Sequence, residues 1–246
     1  MMKRWVRRVV NMPQLQSFLK ERHHFGTAMS WLLRHNMYFR RYSAIESRYF
    51  RWLYLLEITR EVPGEVVELG VGPGSFLVYC NTWLAAEGVP KAYWGYDSFA
   101  GFPSIHEKDL QGLLPHRDRR MQPGVYSGYG RRRMDRLVSR YGFRAVHLVE
   151  GDLKTTVWSE RPNQISFLYI DCDLYEGYKA GLEALFDRIT PGGAVLFDEY
   201  ERVKEWPGAR TAVDEFFLSR PEKPQRLVFS DSHFVLKRPR GEGPPA

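Results

Sequence analysis

The sequence predicts an α/β domain: a mostly parallel sheet with helices on both faces, a C-terminal antiparallel hairpin and an N-terminal helical extension. Two observations carry that prediction. Five short apolar runs, separated by helix-length stretches, recur between Val66 and Phe197. A run that is apolar at nearly every position suits a strand buried on both faces. Most of these runs then end in a glycine or an acid. That is where an open α/β sheet places its ligands, outside the carboxyl ends of its strands.

Residues 1–60 read as the helical extension, serving as a lid or an oligomer contact. Ile45 to Ile58 repeats apolar and aromatic residues at spacings of three and four, ahead of the breaker Pro63-Gly64. Residues 61–238 form the principal domain, and residues 239–246 a flexible tail rich in Pro and Gly. The strand-like runs are Val66 to Val71, Ala92 to Tyr96, Ala145 to Val149, Ser166 to Ile170 and Ala194 to Phe197. Leu227 to Phe229 and His233 to Leu236, joined by Ser230-Asp231-Ser232, read as the closing hairpin. Phe99 to Arg133 is polar and poorly periodic, so it reads as a long loop or lid of functional use.

Composition narrows the class. No apolar run approaches the roughly 18 residues of a membrane span. The basic start, Met1 to Val10, is followed by neither the apolar stretch nor the cleavage site of an export signal. The expectation is a soluble, cytoplasmic protein. Cys80 and Cys172 cannot build a disulfide framework, and no Cys/His spacing suggests zinc. The net charge of +7 raises nucleic acid, anionic lipid or an acidic substrate as partners. Much of it, however, is arginine at 4, 7, 8, 117, 119, 120 and within 131–136, where nearby acids can pair with it. No base-stacking platform accompanies those arginines. A small-molecule acceptor, with neither nucleic acid nor membrane, is therefore expected.

Three strand ends carry cofactor chemistry. Glu68-Leu69-Gly70-Val71-Gly72-Pro73-Gly74-Ser75 leads from a strand into a helix expected over Phe76 to Ala86. Glycines allow a tight turn and close approach of a ligand. The spacing is not that of a dinucleotide fingerprint, and there is no Walker lysine. Glu68 suits a cationic ligand such as the methionine ammonium of S-adenosylmethionine; a plain strand–helix turn is the alternative. Asp97-Ser98 ends the next run, where a carboxylate can accept two ribose hydroxyls. Gly151-Asp152 closes the third, with Asp152 placed to meet an adenine amino group or to cap a helix.

The strongest signal is a pair of acid clusters, Asp171 with Asp173 and Asp198 with Glu199, each following an apolar run. If the two runs are neighbouring strands, these carboxylates converge. Crowded like charges call for a metal ion or a raised pKa. Oxygen-only donors favour magnesium, calcium or manganese over zinc. Two unrelated helix N-caps are the alternative.

Asp97 to Pro103, Leu168 to Tyr175, Gly192-Gly193 through Tyr200, and Ala212 to Phe216 together resemble the TylF/MycF-type macrocin O-methyltransferase family, over roughly Glu57 to Phe217. The resemblance implies a Rossmann-like class I methyltransferase that uses S-adenosylmethionine and magnesium to methylate a sugar hydroxyl. It implies metal ligands at Asp171, Asp198 and Glu199, and a general base at Asp173. Asp171 counts toward the cofactor site as well, with Glu68, Gly70, Gly72, Gly74, Ser75, Asp97, Ser98, Gly151 and Asp152. The chain departs from the family pattern at Cys172, where glycine is usual, at Glu199, where aspartate is usual, and within the first glycine turn. The acceptor is expected to lie under the loop from Phe99, which also carries His106 and His116. The family and the apolar N-terminal segment point to a homodimer or higher oligomer. Two rival readings are a catechol-type methyltransferase and a non-catalytic protein binding nucleic acid or anionic membrane through this fold.

Overall fold

The structure is a computed structural model that describes residues 44–112, 120–227 and 230–238. The chain divides into two units, Met1–Ile58 and Thr59–Ala246. In the first, the described part is helix α1 (Ala44–Ile58). Its Trp52, Leu55 and Leu56 are buried, at the three-and-four spacing read from the sequence.

The second unit is built on β1 (Glu65–Leu69), β2 (Tyr93–Asp97), β3 (Val146–Glu150), β4 (Ile165–Ile170), β5 (Ile189–Phe197), β6 (Gln225–Arg226) and β7 (His233–Leu236). They lie side by side in the order β3-β2-β1-β4-β5-β7-β6. The first five are mutually parallel, and β7 and β6 close the sheet antiparallel. This is the expected doubly wound sheet. The chain walks outward from β1 to β3 and then returns to β4 beside β1. That reversal opens a crevice at the carboxyl ends of β1 and β4.

Helices α2 (Ser75–Glu87), α3 (Arg131–Tyr141), α4 (Leu153–Ser159), α5 (Tyr175–Leu185) and α6 (Pro207–Phe217) flank the sheet. Strand residues alternate between its faces. Leu168, Ile170, Val195 and Phe197 join the core under α5 and α6, with Leu182, Ala209 and Val213. The alternate positions Phe167 and Tyr169 turn to Phe76 of α2, at ring separations of 5.8 and 4.9 Å. Every residue of β4 is buried, which is why its sequence is apolar at every position but Ser166 and the Tyr169 hydroxyl, both hydrogen-bonded.

The hairpin differs from expectation. Its first strand is Gln225–Arg226, because Leu227 already bonds across the turn to Ser232 and Ser230; Val228 and Phe229 lie outside the described residues. Strand β5 starts earlier, at Ile189. The stretch read as one loop ends sooner, since Arg131 to Arg133 form the first turn of α3. Its base is closed by backbone bonds from Phe102 N–H to Val125 O and from Gly124 N–H to Phe102 O, each 2.9 Å. Residues 1–43, 113–119 (including His116) and 239–246 lie outside the described residues. Among those described, no helix is long and apolar enough to cross a membrane.

Candidate active site

Gly70, Gly72 and Gly74 all have positive φ, at 88°, 50° and 84°, a region open to glycine at no steric cost. They serve three purposes. A Cβ on Gly70 would fall into the carbonyl of Asp171, so this glycine lets the ends of β1 and β4 lie flush. Gly74 starts α2, and a Cβ there would press on Met134 Sδ at 3.0 Å in α3. Gly72 alone of the three has open space where its side chain would be. Ser75 follows, exposed, as the first residue of α2.

The Asp97 carboxylate accepts the Gly72 N–H at 2.9 Å and the Phe99 N–H at 2.7 Å. Two backbone donors thus aim it without any counter-ion, and a carboxylate has lone pairs left for two further donors. Gly151 N–H donates to the Asp97 carbonyl at 3.0 Å, tying the ends of β2 and β3 together. The Ser98 hydroxyl is used locally, donating to Gly101 O at 2.5 Å and accepting from Ala100 N–H at 3.1 Å. Asp152 caps α4 by accepting the Lys154 N–H at 3.0 Å, and its second oxygen lies 3.5 Å from Lys154 Nζ.

Glu68 is placed differently from the sequence reading. It is buried and accepts the Tyr93 hydroxyl, one residue short of the strand end, where the pleat turns it into a face of the sheet. Gly95 makes that bond feasible, because a Cβ there would lie 2.9 Å from the Tyr93 hydroxyl oxygen.

Across the crevice, carboxylate oxygens of Asp171, Asp173 and Glu199 lie within 4.8 Å of one another. Asp173 holds φ 63°, a strained conformation for a non-glycine residue that is common at functional sites. Asp198 and Glu199 follow directly on the end of β5 and take different phenol partners. Asp198, fully buried, lies 3.1 Å from the Tyr169 hydroxyl and 2.5 Å from an Arg202 guanidinium nitrogen. The same Tyr169 hydroxyl lies 2.7 Å from Asp171, so it bridges the two acids with one proton. Glu199 accepts the Tyr178 hydroxyl at 2.5 Å, and its other oxygen lies 3.5 Å from Arg202. The tightest trio therefore contains Asp173, with Asp198 joined to it through Tyr169.

Burial, then the charges of Asp171, Asp198 and Asp173, push the Glu199 carboxyl well above the usual carboxylate range, against the pull of Arg202. Burial, then the charges of Glu199, Asp173 and Asp171, pushes the Cys172 thiol up, and its Sγ lies where a Cβ on Gly177 would press. Excess negative charge on an all-oxygen donor set fits a hard divalent cation. Opposite ligands of such an ion stand about 4–5 Å apart, given ligand distances of about 2.0–2.6 Å.

The loop over this rim is anchored by residues that sequence reading missed. Asp109, buried, accepts the Tyr175 N–H at 2.8 Å and the His106 N–H at 3.0 Å, and its carboxylate occupies the space a Cβ on Gly208 would take. Lys108 donates to Glu215 at 2.6 Å and bonds the Tyr175 hydroxyl at 3.0 Å, while that hydroxyl donates to Glu215 at 2.8 Å. The His106 ring stacks on Tyr175 at 4.7 Å. The motif positions Tyr175 and Glu215, and His106 in the loop, were the signs of this clasp in the sequence.

A family model for macrocin O-methyltransferase (TylF) matches residues 55–223, a span that holds the glycine turn, Asp97 and all four acids. The chain belongs to this family. The family's methyl donor is S-adenosylmethionine. Among curated relatives of this TylF-family chain, a tetracenomycin rhamnosyl 4'-O-methyltransferase of Streptomyces olivaceus is 31% identical over 146 residues, covering 56% of this chain and 54% of that protein. The mycinamicin III 3''-O-methyltransferase of Micromonospora griseorubida is 29% identical over 158 residues, covering 63% and 61%. The chain thus spans little more than half the length of the curated relatives it matches. Among solved structures, the calicheamicin methyltransferase CalS11 superposes with TM-score 0.63 at 25% identity, over 94% of this chain and 95% of that one. The O-methyltransferase NovP superposes with TM-score 0.66 at 24% identity, over 78% and 80%, and shows the fold.

Proposed function

We propose that this chain transfers a methyl group from S-adenosylmethionine to a hydroxyl of a sugar or glycosylated natural product, with magnesium at the acid cluster. The observation that carries the reading is the seam at Gly70. It sets an open glycine turn and a pre-aimed Asp97 directly beside a carboxylate trio. The relatives named for methylating rhamnosyl and macrolide hydroxyls support the acceptor class.

The sulfonium supplies an electrophilic methyl group, and magnesium, when bound, stabilises charge developing on the acceptor oxygen. The chain's residues supply the rest. Gly72 lets the donor approach the backbone, flanked by Ser75, Ser98 and Gly151. Asp97 accepts ribose hydroxyls, and Asp152 offers its second oxygen to the adenine amino group. Asp171, Asp198 and Glu199 would hold the cation, with Arg202 yielding Asp198. Asp173, beside Asp171 and Glu199, takes the acceptor's proton as general base. Holding hydroxyl and methyl in line supplies much of the acceleration.

The test is methyl transfer from labelled S-adenosylmethionine to arrayed nucleotide sugars, glycosides and catechols, with and without chelator. Transfer to a sugar hydroxyl, lost on chelation and restored by magnesium, is the expected result. Transfer to catechols alone would contradict the acceptor class. Asp173→Asn should lower turnover by roughly 10²–10⁴-fold with cofactor binding kept; unchanged turnover removes Asp173 as base.

A further inference from the structure

Four carboxylates meet at the ends of β4 and β5, and among the described residues the Arg202 guanidinium reaches into them. An Arg202 guanidinium nitrogen lies 2.5 Å from Asp198 and 3.5 Å from Glu199. Both acids are buried to within 1% of complete, whereas the Arg202 side chain remains 30% exposed. The acids are held from within by the Tyr169 and Tyr178 hydroxyls, and the guanidinium comes to them from the solvent side.

We propose that Arg202 is the resident counter-ion of this cluster, occupying Asp198 and reaching Glu199 in the metal-free chain and competing with the divalent cation for both. The inference rests on the cation site proposed above. A guanidinium does not lose its proton under physiological conditions, so it yields only by moving. Its backbone cannot take part in that movement. Arg202 N–H bonds to Glu199 O at 2.8 Å, and the Glu205 and Trp206 N–H groups bond to Arg202 O at 2.9 and 2.7 Å. The side chain must therefore swing outward, along the exposed route it already has. The competition is direct: the Asp198 oxygen held at 2.5 Å by a positive nitrogen is the oxygen a metal would need, and two cations so close repel. Without the metal, the same arginine offsets the mutual repulsion of the buried acids. Arg202 thus makes the empty site stable and sets how readily it fills.

The test is calorimetric titration of the metal-stripped full chain with manganese(II) and, separately, with S-adenosylhomocysteine. Wild type, Arg202→Gln and Arg202→Lys are compared. Arg202→Gln is expected to bind manganese roughly tenfold more tightly than wild type, while melting at a lower temperature in its absence. Arg202→Lys should fall between, because it keeps the positive charge on a more flexible stem with a compact head in place of the planar guanidinium. S-adenosylhomocysteine affinity should be the same in all three. Equal or weaker manganese binding by Arg202→Gln, with S-adenosylhomocysteine binding intact, overturns the inference while leaving the cation site in place. Manganese binding by none of the three overturns both together. Should Arg202→Gln fail to fold, Arg202→Lys decides: tighter manganese binding supports the competition, and equal or weaker binding overturns it.

Discussion

The two halves of the sheet's carboxyl rim hold their acids by opposite means. On the β1–β2–β3 side, Asp97 rests on two backbone N–H groups and Asp152 on the first turn of a helix. On the β4–β5 side, Asp171, Asp173, Asp198 and Glu199 crowd one another, and their partners include the Tyr169 and Tyr178 phenols and the Arg202 guanidinium. Backbone donors are fixed by the fold, so the first half is shaped before any ligand arrives. The second half draws on side chains, which under the proposal above give way to a divalent cation. The proposed function thus sets a rigid nucleoside cradle beside an adjustable ionic site.

The seam between the halves is the place to break this arrangement outright. Gly70→Ala puts a Cβ into the Asp171 carbonyl at a position with φ 88°. Strain and displacement together should cost on the order of 3–5 kcal/mol, read by urea denaturation. A loss under about 1 kcal/mol would show that β1 and β4 need not lie flush.

A smaller change should strike one half only. Asp97→Ala leaves the Gly72 and Phe99 N–H groups without their acceptor. S-adenosylhomocysteine binding should weaken by on the order of 2 kcal/mol, with manganese affinity unchanged. Loss of both affinities would mean that the halves are one coupled site.

The mildest pair separates capping from recognition. Asp152→Ala should cost about 1 kcal/mol of stability as a lost N-cap, whereas Asp152→Asn should cost almost none. If Asn nevertheless weakens S-adenosylhomocysteine binding, the charge of Asp152 acts on the ligand as well as on the helix.

The strands were legible because burial on both faces leaves an unbroken apolar run. β4 shows this most clearly, buried at all six positions. Three site residues have phenol partners that the sequence did not show. Glu68 lies one position before the end of β1 and so turns into a face, against Tyr93. Asp198 and Glu199 are consecutive and take different phenols, Tyr169 and Tyr178, while sharing Arg202. Asp109 and Arg202 were not legible at all. Their meaning depends on partners brought in by the fold: the Tyr175 N–H for one, two buried acids for the other. The closing hairpin was found one turn late, because Leu227 is apolar yet already belongs to the turn.

The central claim is that donor and cation occupy separate halves of one rim. Titrating S-adenosylhomocysteine and magnesium separately into wild type and into Asp198→Asn/Glu199→Gln tests it most directly. The account predicts that S-adenosylhomocysteine binds both proteins alike, while magnesium binds wild type alone. Absence of S-adenosylhomocysteine binding to wild type, or its loss in the double variant with the fold intact, would contradict it.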